Sequence, residues 1–246
     1  MPKAQWGIVL RTKLRVVLTA VLGMLCACGP RAHVPPRPVV VAGALSDSDS
    51  VTRLAHRLAP LLYLQRDEWF PLDRAVAVVH PTRPIIAYHL LWRDDVHGAW
   101  IPHTVPTDEE VVWVGYDPSG APTDIWTYWH GKVLHTDWRH RGTPEVDVQW
   151  GKHGTLPRGV IESGLPRFQT LNAFYAFHQL AVVDILLGRI TRPGPSGFFH
   201  SYARYRDFSR ILRLTDSLDV VVRSATPNEA LAAVFGKPYS RKILWP

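Results

Sequence analysis

Apolar and polar residues alternate along this chain in short blocks punctuated by proline and glycine. Residues 75–80 and 85–92 are two such blocks, rich in Val, Ile and aromatic side chains and flanked by prolines, and each predicts a strand. The clearest signal is a hairpin, with residues 111–116 and 125–130 on either side of Asp117-Pro118-Ser119-Gly120. Aspartate first, proline second and glycine fourth suit a type I turn closed by a left-handed glycine. In the register this turn implies, paired positions sum to 238, which sets Asp108 opposite His130 and Glu110 opposite Tyr128. Val112, Val114, Tyr116 and Trp126 then share one face and Val111, Trp113, Ile125 and Trp129 the other, so the hairpin is expected to be covered on both sides. Residues 146–150 alternate as one more strand.

Helical spacing appears in three further places. Leu54, Leu58, Leu61 and Leu62 predict a short opening helix in residues 51–65. Leu171, Phe174, Tyr175, His178, Ala181, Val182 and Ile185 form the apolar stripe of an amphipathic helix that Gly188 should stop, with His178 a core residue. Residues 199–212 read as helical, and Thr226-Pro227-Asn228-Glu229 is a capping box opening a helix to Phe235 that Gly236 ends. The expected fold class is α+β: one domain over residues 51–246, with an antiparallel β-sandwich core and a C-terminal helical layer at about 166–236.

The first residues read differently. A basic stretch ending at Arg15 precedes residues 16–28, thirteen residues without a charge, and then Gly29-Pro30. This is a signal-peptide pattern over residues 1–27. At about 1.5 Å per residue the uncharged run covers roughly 20 Å, short of a ~30 Å hydrocarbon core. Leu25-Cys26-Ala27-Cys28 resembles the bacterial lipobox, whose last cysteine is lipidated, so Cys28 is the expected attachment point to a membrane. Ordinary secretion with incidental cysteines is the alternative. Residues 28–50, rich in proline and serine, read as a flexible tether. The expected location is the cell envelope, with Gly29 in place of a retention aspartate pointing to the outer membrane where one exists.

Composition narrows the function. The formal charge is +7, but Lys3, Arg11, Lys13 and Arg15 lie in the leader, leaving 24 basic against 21 acidic residues, or +3. That is too little to argue for nucleic acid as a partner. Both cysteines lie in the first thirty residues, so no disulfide and no thiol nucleophile is expected in the body. There is no Gly-x-Ser-x-Gly elbow and no phosphate-cradling glycine loop.

Eight of the twelve histidines fall between His80 and His153, and seven of the ten tryptophans between Trp92 and Trp150. Asp108 and Glu110, two apart on a strand, share a face, and the hairpin register sets His130 opposite them. Carboxylates suit Ca²⁺ or Mg²⁺, and an added imidazole broadens the choice to Mn²⁺ or Zn²⁺. Asp94, Asp95 and His103 in the preceding loop, and His153 past a strand end, can line the same mouth. The alternative is a solvated acidic turn with His130 at the surface. His135, Asp137 and His140 form a second cluster that reads as loop surface. Three functions remain open: a divalent-cation binder, a metal-dependent hydrolase at the same site with an unbound carboxylate such as Glu109 as base, and a metal-free envelope scaffold whose aromatics contact glycan or protein.

Thr107-Asp108-Glu109-Glu110-Val111, Tyr128-Trp129-His130-Gly131 and Trp150-Gly151-Lys152-His153-Gly154 together resemble the vacuolar-protein-sorting-62-related group. They are also similar to the necrosis-inducing toxins, a β-sandwich family in which acids and histidines hold a divalent cation. The resemblance covers roughly residues 60–160. It implies that Asp108 and Glu110 match the acidic pair, His130 the later histidine, and Asp94 or Asp95 the earlier acid. Glu109 replaces the family's tryptophan and Thr107 a histidine, and the loops behind the toxins' membrane attack are not reproduced.

Overall fold

A computed structural model describes residues 41–65, 68, 70–93, 108–129, 131–149, 153–159, 208–236 and 241–246. The described strands form two sheets. The larger holds β2 (Leu72–Val79), β3 (Ile85–Trp92), β4 (Asp108–Tyr116), β5 (Pro122–Trp129), β6 (Lys132–Asp137) and β10 (Val220–Arg223), in the order β10-β2-β3-β4-β5-β6. The smaller holds β1 (Leu61–Leu64), β7 (Glu145–Val148), β8 (Thr155–Pro157) and β9 (Arg210–Arg213), in the order β8-β7-β1-β9. Most neighbours are antiparallel; β1 with β7 and β2 with β10 are parallel.

Alternation explains how the sheets meet. Ile86, Tyr88, Leu90 and Trp92 of β3 and Val112 and Val114 of β4 point into one core, where Leu62, Leu64, Val146 and Val148 of the smaller sheet face them. α1 (Ser50–Leu58) closes one end of that core with Ala55 and Leu58, and the Tyr88 hydroxyl donates to the Ala55 carbonyl at 2.7 Å. The opposite face of the larger sheet carries Val76, Val78, Ala87, Leu91, Val111 and Trp113. α2 (Asn228–Phe235) covers it with Leu231, Val234 and Phe235, and Leu244 and Trp245 pack alongside. All eight residues of β3 are buried as a result, as a strand covered on both faces requires.

The hairpin departs from the expected register. Asp117 N–H donates to the Ala121 carbonyl at 2.9 Å and Gly120 has φ +78°, so the turn forms as its residues dictate. Beyond it, Tyr116 pairs with Pro122 but Gly115 pairs with Asp124, leaving Thr123 as a bulge. Its carbonyl accepts from Trp138 N–H at 2.8 Å. Gly115 makes room there: a Cβ at that position would lie 3.0 Å from Thr123 Oγ1 and 3.1 Å from the Trp126 ring. Paired positions therefore sum to 239, as in Val112 with Thr127, and the ladder ends at that pair. Ile125 joins the inner core, whereas Trp126 and Tyr128 pack on the outer face, so the expected faces of β5 are exchanged.

Three other expectations change. The helix expected in residues 51–65 ends at Leu58, and Leu61 and Leu62 belong to β1 instead. Residues 210–213 are not helical but form β9, paired antiparallel with β1. α2 starts as expected, but Pro227 takes the cap position with no side-chain cap bond, so the capping box does not form. The amphipathic pattern of residues 166–188, with His178, lies outside the described residues, as do the leader, Cys28 and most of the tether. Among the described residues no helix is long and apolar enough to cross a membrane.

Candidate functional site

β4 opens with three acids, and all three are buried: Asp108 is 7%, Glu109 1% and Glu110 5% exposed. A solvated acidic turn is thereby replaced by a site in which each carboxylate must be neutralised or bonded. The β3–β4 ladder fixes their directions, with Trp92 opposite Asp108, Leu91 opposite Glu109 and Leu90 opposite Glu110. Asp108 and Glu110 point between the sheets with Trp92 and Leu90, and Glu109 points to the outer face with Leu91.

His153 serves Asp108. It sits in a tight turn after β7, where its N–H donates to the Gln149 carbonyl at 2.9 Å and Gln149 N–H donates to the Gly154 carbonyl at 2.9 Å. The turn holds His153 at φ +53°, a left-handed conformation uncommon for a residue with a Cβ. Its Nδ1–H donates to Asp108 Oδ2 at 2.8 Å and its Nε2–H to Glu68 Oε1 at 3.3 Å. The ring stacks on Trp92 at 4.3 Å and 5°, with Phe70 edge-on at 6.0 Å. Burial alone pushes the imidazole down, but the Glu68 and Asp108 carboxylates outweigh it and raise the pKa to about 9. His153 is thus an imidazolium at neutral pH. Both ring nitrogens are engaged, so in this arrangement it positions Asp108 and offers no lone pair to a metal.

Glu110 is served less completely. Its Oε1 accepts from Lys242 Nζ at 3.2 Å, while its Oε2 is buried without a hydrogen-bond partner. Burial, with the Asp108 charge added, pushes its pKa up to about 8 against the pull of Lys242. Burial lowers the Lys242 ammonium, but Glu110 and Asp108 more than compensate, and its pKa is raised. The same ammonium lies 5.4 Å from the centre of the Tyr128 ring.

On the outer face, Glu109 Oε1 takes His89 Nδ1–H at 2.7 Å and Oε2 takes Lys242 N–H at 3.1 Å. The sequence offers Glu109 as one candidate for the unbound base of a hydrolase at the mouth shared by Asp108 and Glu110. The strand turns it to the opposite face and binds it there.

Of the residues expected to gather, Asp108, Glu110 and His153 do so. Asp94, Asp95, His103 and His130 lie outside the described residues. The register that set His130 opposite Asp108 does not hold, because the Thr123 bulge displaces the ladder by one residue. His135, Asp137 and His140 remain apart: His135 Nε2 lies 2.7 Å from Asp124 Oδ1 and stacks on Trp126, and Asp137 pairs with Arg139. Among the described residues, no group of three His, Cys, Asp or Glu side chains is set to hold a metal ion. Asp108 and Glu110 supply two carboxylates toward one, and the unpartnered Glu110 Oε2 fits such an ion. Glu68, His89 and Lys242 were not singled out from the sequence, where nothing local marks them.

No protein-family model matches the chain, and no curated protein matches it in sequence. Its structural neighbours include NLPPya in complex with glucosamine, at 13% identity and TM-score 0.35, covering 56% of this chain and 84% of that one. NLPPya in complex with mannosamine is similar at 14% identity and TM-score 0.34, with 56% and 84% covered. A structure described as a "Toxin fold for microbial attack and plant defense" is similar at 12% identity and TM-score 0.31, with 56% and 85% covered. These neighbours are toxins of the necrosis-inducing group, the group whose motifs the sequence resembles. Nothing about activity follows from a likeness of this size.

Proposed function

We propose that this chain is an envelope lipoprotein, held to a membrane surface through lipidated Cys28, whose sandwich binds a divalent cation at the opening of β4. One observation carries the cation reading: Asp108 and Glu110 lie buried on one face, and Glu110 Oε2 has no hydrogen-bond partner. A buried carboxyl oxygen without a partner calls for a proton or a cation, and Ca²⁺, Mg²⁺, Mn²⁺ or Zn²⁺ would supply the latter. Asp94, His103 and His130, drawn from the sequence, are the proposed further ligands. His153 braces Asp108 from behind.

A specific observation also favours the metal-free scaffold, which would contact glycan or another envelope protein. The His153 imidazolium and the Lys242 ammonium already place two positive charges among the acids. Metal analysis of the untagged full-length protein in detergent separates the two readings. The cation reading expects near-stoichiometric metal that is lost in Asp108→Ala and Glu110→Gln. Absence of bound metal, together with a melting temperature that neither chelator nor any of the four ions shifts, would overturn it, because an ion bound only by the folded state must stabilise that state. The anchor is tested by fractionation: the parent protein should sediment with membranes and Cys28→Ser should not. Equal membrane association of both would sink the lipidation proposal.

A further inference from the structure

We propose that the segment 241–246 is a strap that regulates this site, with Lys242 as a built-in competitor for the divalent cation. The inference rests on the cation reading above and adds to it what the ion must displace.

The strap is held by its backbone and by tryptophans on the outer face of the larger sheet. Trp113 Nε1–H donates to the Leu244 carbonyl at 2.8 Å, and Trp245 Nε1–H donates to the Ala225 carbonyl at 2.8 Å. The Arg83 guanidinium lies 5.4 Å over the Trp245 ring, and His80 meets that ring edge-on at 4.8 Å. Lys242 N–H is fixed on Glu109 at 3.1 Å, so the backbone sits on the outer face while the side chain reaches Glu110 at 3.2 Å. The strap thus delivers an ammonium to an inward-pointing carboxylate.

A divalent ion engaging Glu110 Oε2 would stand within a few ångströms of that ammonium, in a setting where like charges repel strongly. The ammonium must leave first. It is able to, since the Lys242 side chain retains 18% exposure and none of the bonds that hold the strap involves Nζ. Lys242→Met removes the charge and keeps both an apolar stem and the backbone bond to Glu109.

The test is isothermal titration of the full-length protein in detergent with CaCl₂, MgCl₂, MnCl₂ and ZnCl₂ separately, comparing the parent with Lys242→Met. A second readout needs no variant: the acylation rate of Lys242 in the parent, followed by mass spectrometry with and without the saturating ion. The expected result is binding at least about tenfold tighter in Lys242→Met and faster Lys242 acylation once the ion is bound. If the parent binds an ion, yet the variant binds it no better and acylation is unchanged, the competitor role is overturned while the cation reading stands. If neither protein binds any of the four ions, both fall. Should the variant fail to fold, acylation of the parent decides.

Discussion

A buried carboxylate requires a proton or a cation, and the three acids opening β4 meet that requirement in three ways. Asp108 has an imidazolium, Glu109 shares a histidine and a backbone amide, and Glu110 has an ammonium on one oxygen and nothing on the other. Removing His153 takes the imidazolium away from Asp108 and Glu68 together. His153→Ala should therefore lower stability by about 3–5 kcal/mol, the usual result of deleting one partner of a buried ion pair. Urea unfolding measures this, and a loss below about 1 kcal/mol would show that the pair is not the buried interaction described here. Asp117 shows the opposite setting, an exposed turn. Ser119 Oγ–H at 2.6 Å and Ala121 N–H at 3.0 Å donate to its carboxylate and hold its pKa below the ordinary 3.8. A depressed carboxylate stabilises the fold above its unfolded pKa, and the contribution is lost as pH falls through the folded value. Asp117→Ala should melt below the parent at neutral pH, with the gap closing as the solution is acidified past 3.8. A gap that persists in strong acid would assign the effect to turn conformation instead of charge.

At the scale of elements, the strands were legible wherever turn chemistry and alternation agreed. β3 occupies residues 85–92 as its proline-bounded run predicts, and the Asp117–Gly120 turn forms as its residues require. β5 shows where such reading stops. It carries large apolar side chains on both faces, Ile125 and Trp129 on one and Trp126 on the other, so hydrophobicity alone accepts either register. Thr123 decides it, through a carbonyl claimed by Trp138 and a neighbouring glycine that admits the Trp126 ring. Inserting one alanine between Asp124 and Ile125 should thus be severe, because it sets Ile125 opposite Trp113 instead of Val114 and rotates Ile125 and Trp129 out of the core at about 1.5–3 kcal/mol each, against a net stability of only ~5–15 kcal/mol. The expected outcome is loss of near-ultraviolet circular dichroism; a native-like spectrum would show that the bulge can migrate. Residues 210–213 misled for a related reason. Four residues with arginine at both ends suit a helix or an edge strand equally, and only the pairing with β1 selects the strand.

Across the whole molecule, the two sheets are held by apolar packing and by polar links such as His153 to Asp108, with no disulfide between them, since both cysteines of the chain precede residue 29. Thermal unfolding should be indifferent to reductant, and a melting temperature that shifts when dithiothreitol is added would contradict this. The absence of cysteine from the body, the strand blocks with their turns, and the acidic opening of β4 are properties of local sequence, because pleat and turn geometry are set over two to four neighbouring residues. Which groups neutralise those acids is not. His153 stands 45 positions from Asp108 and 85 from Glu68, and Lys242 stands 133 from Glu109. Charge compensation acts through space and in proportion to burial, so the partners became identifiable only once the chain had brought β4, the turn after β7 and the 241–246 strap to one end of the sandwich.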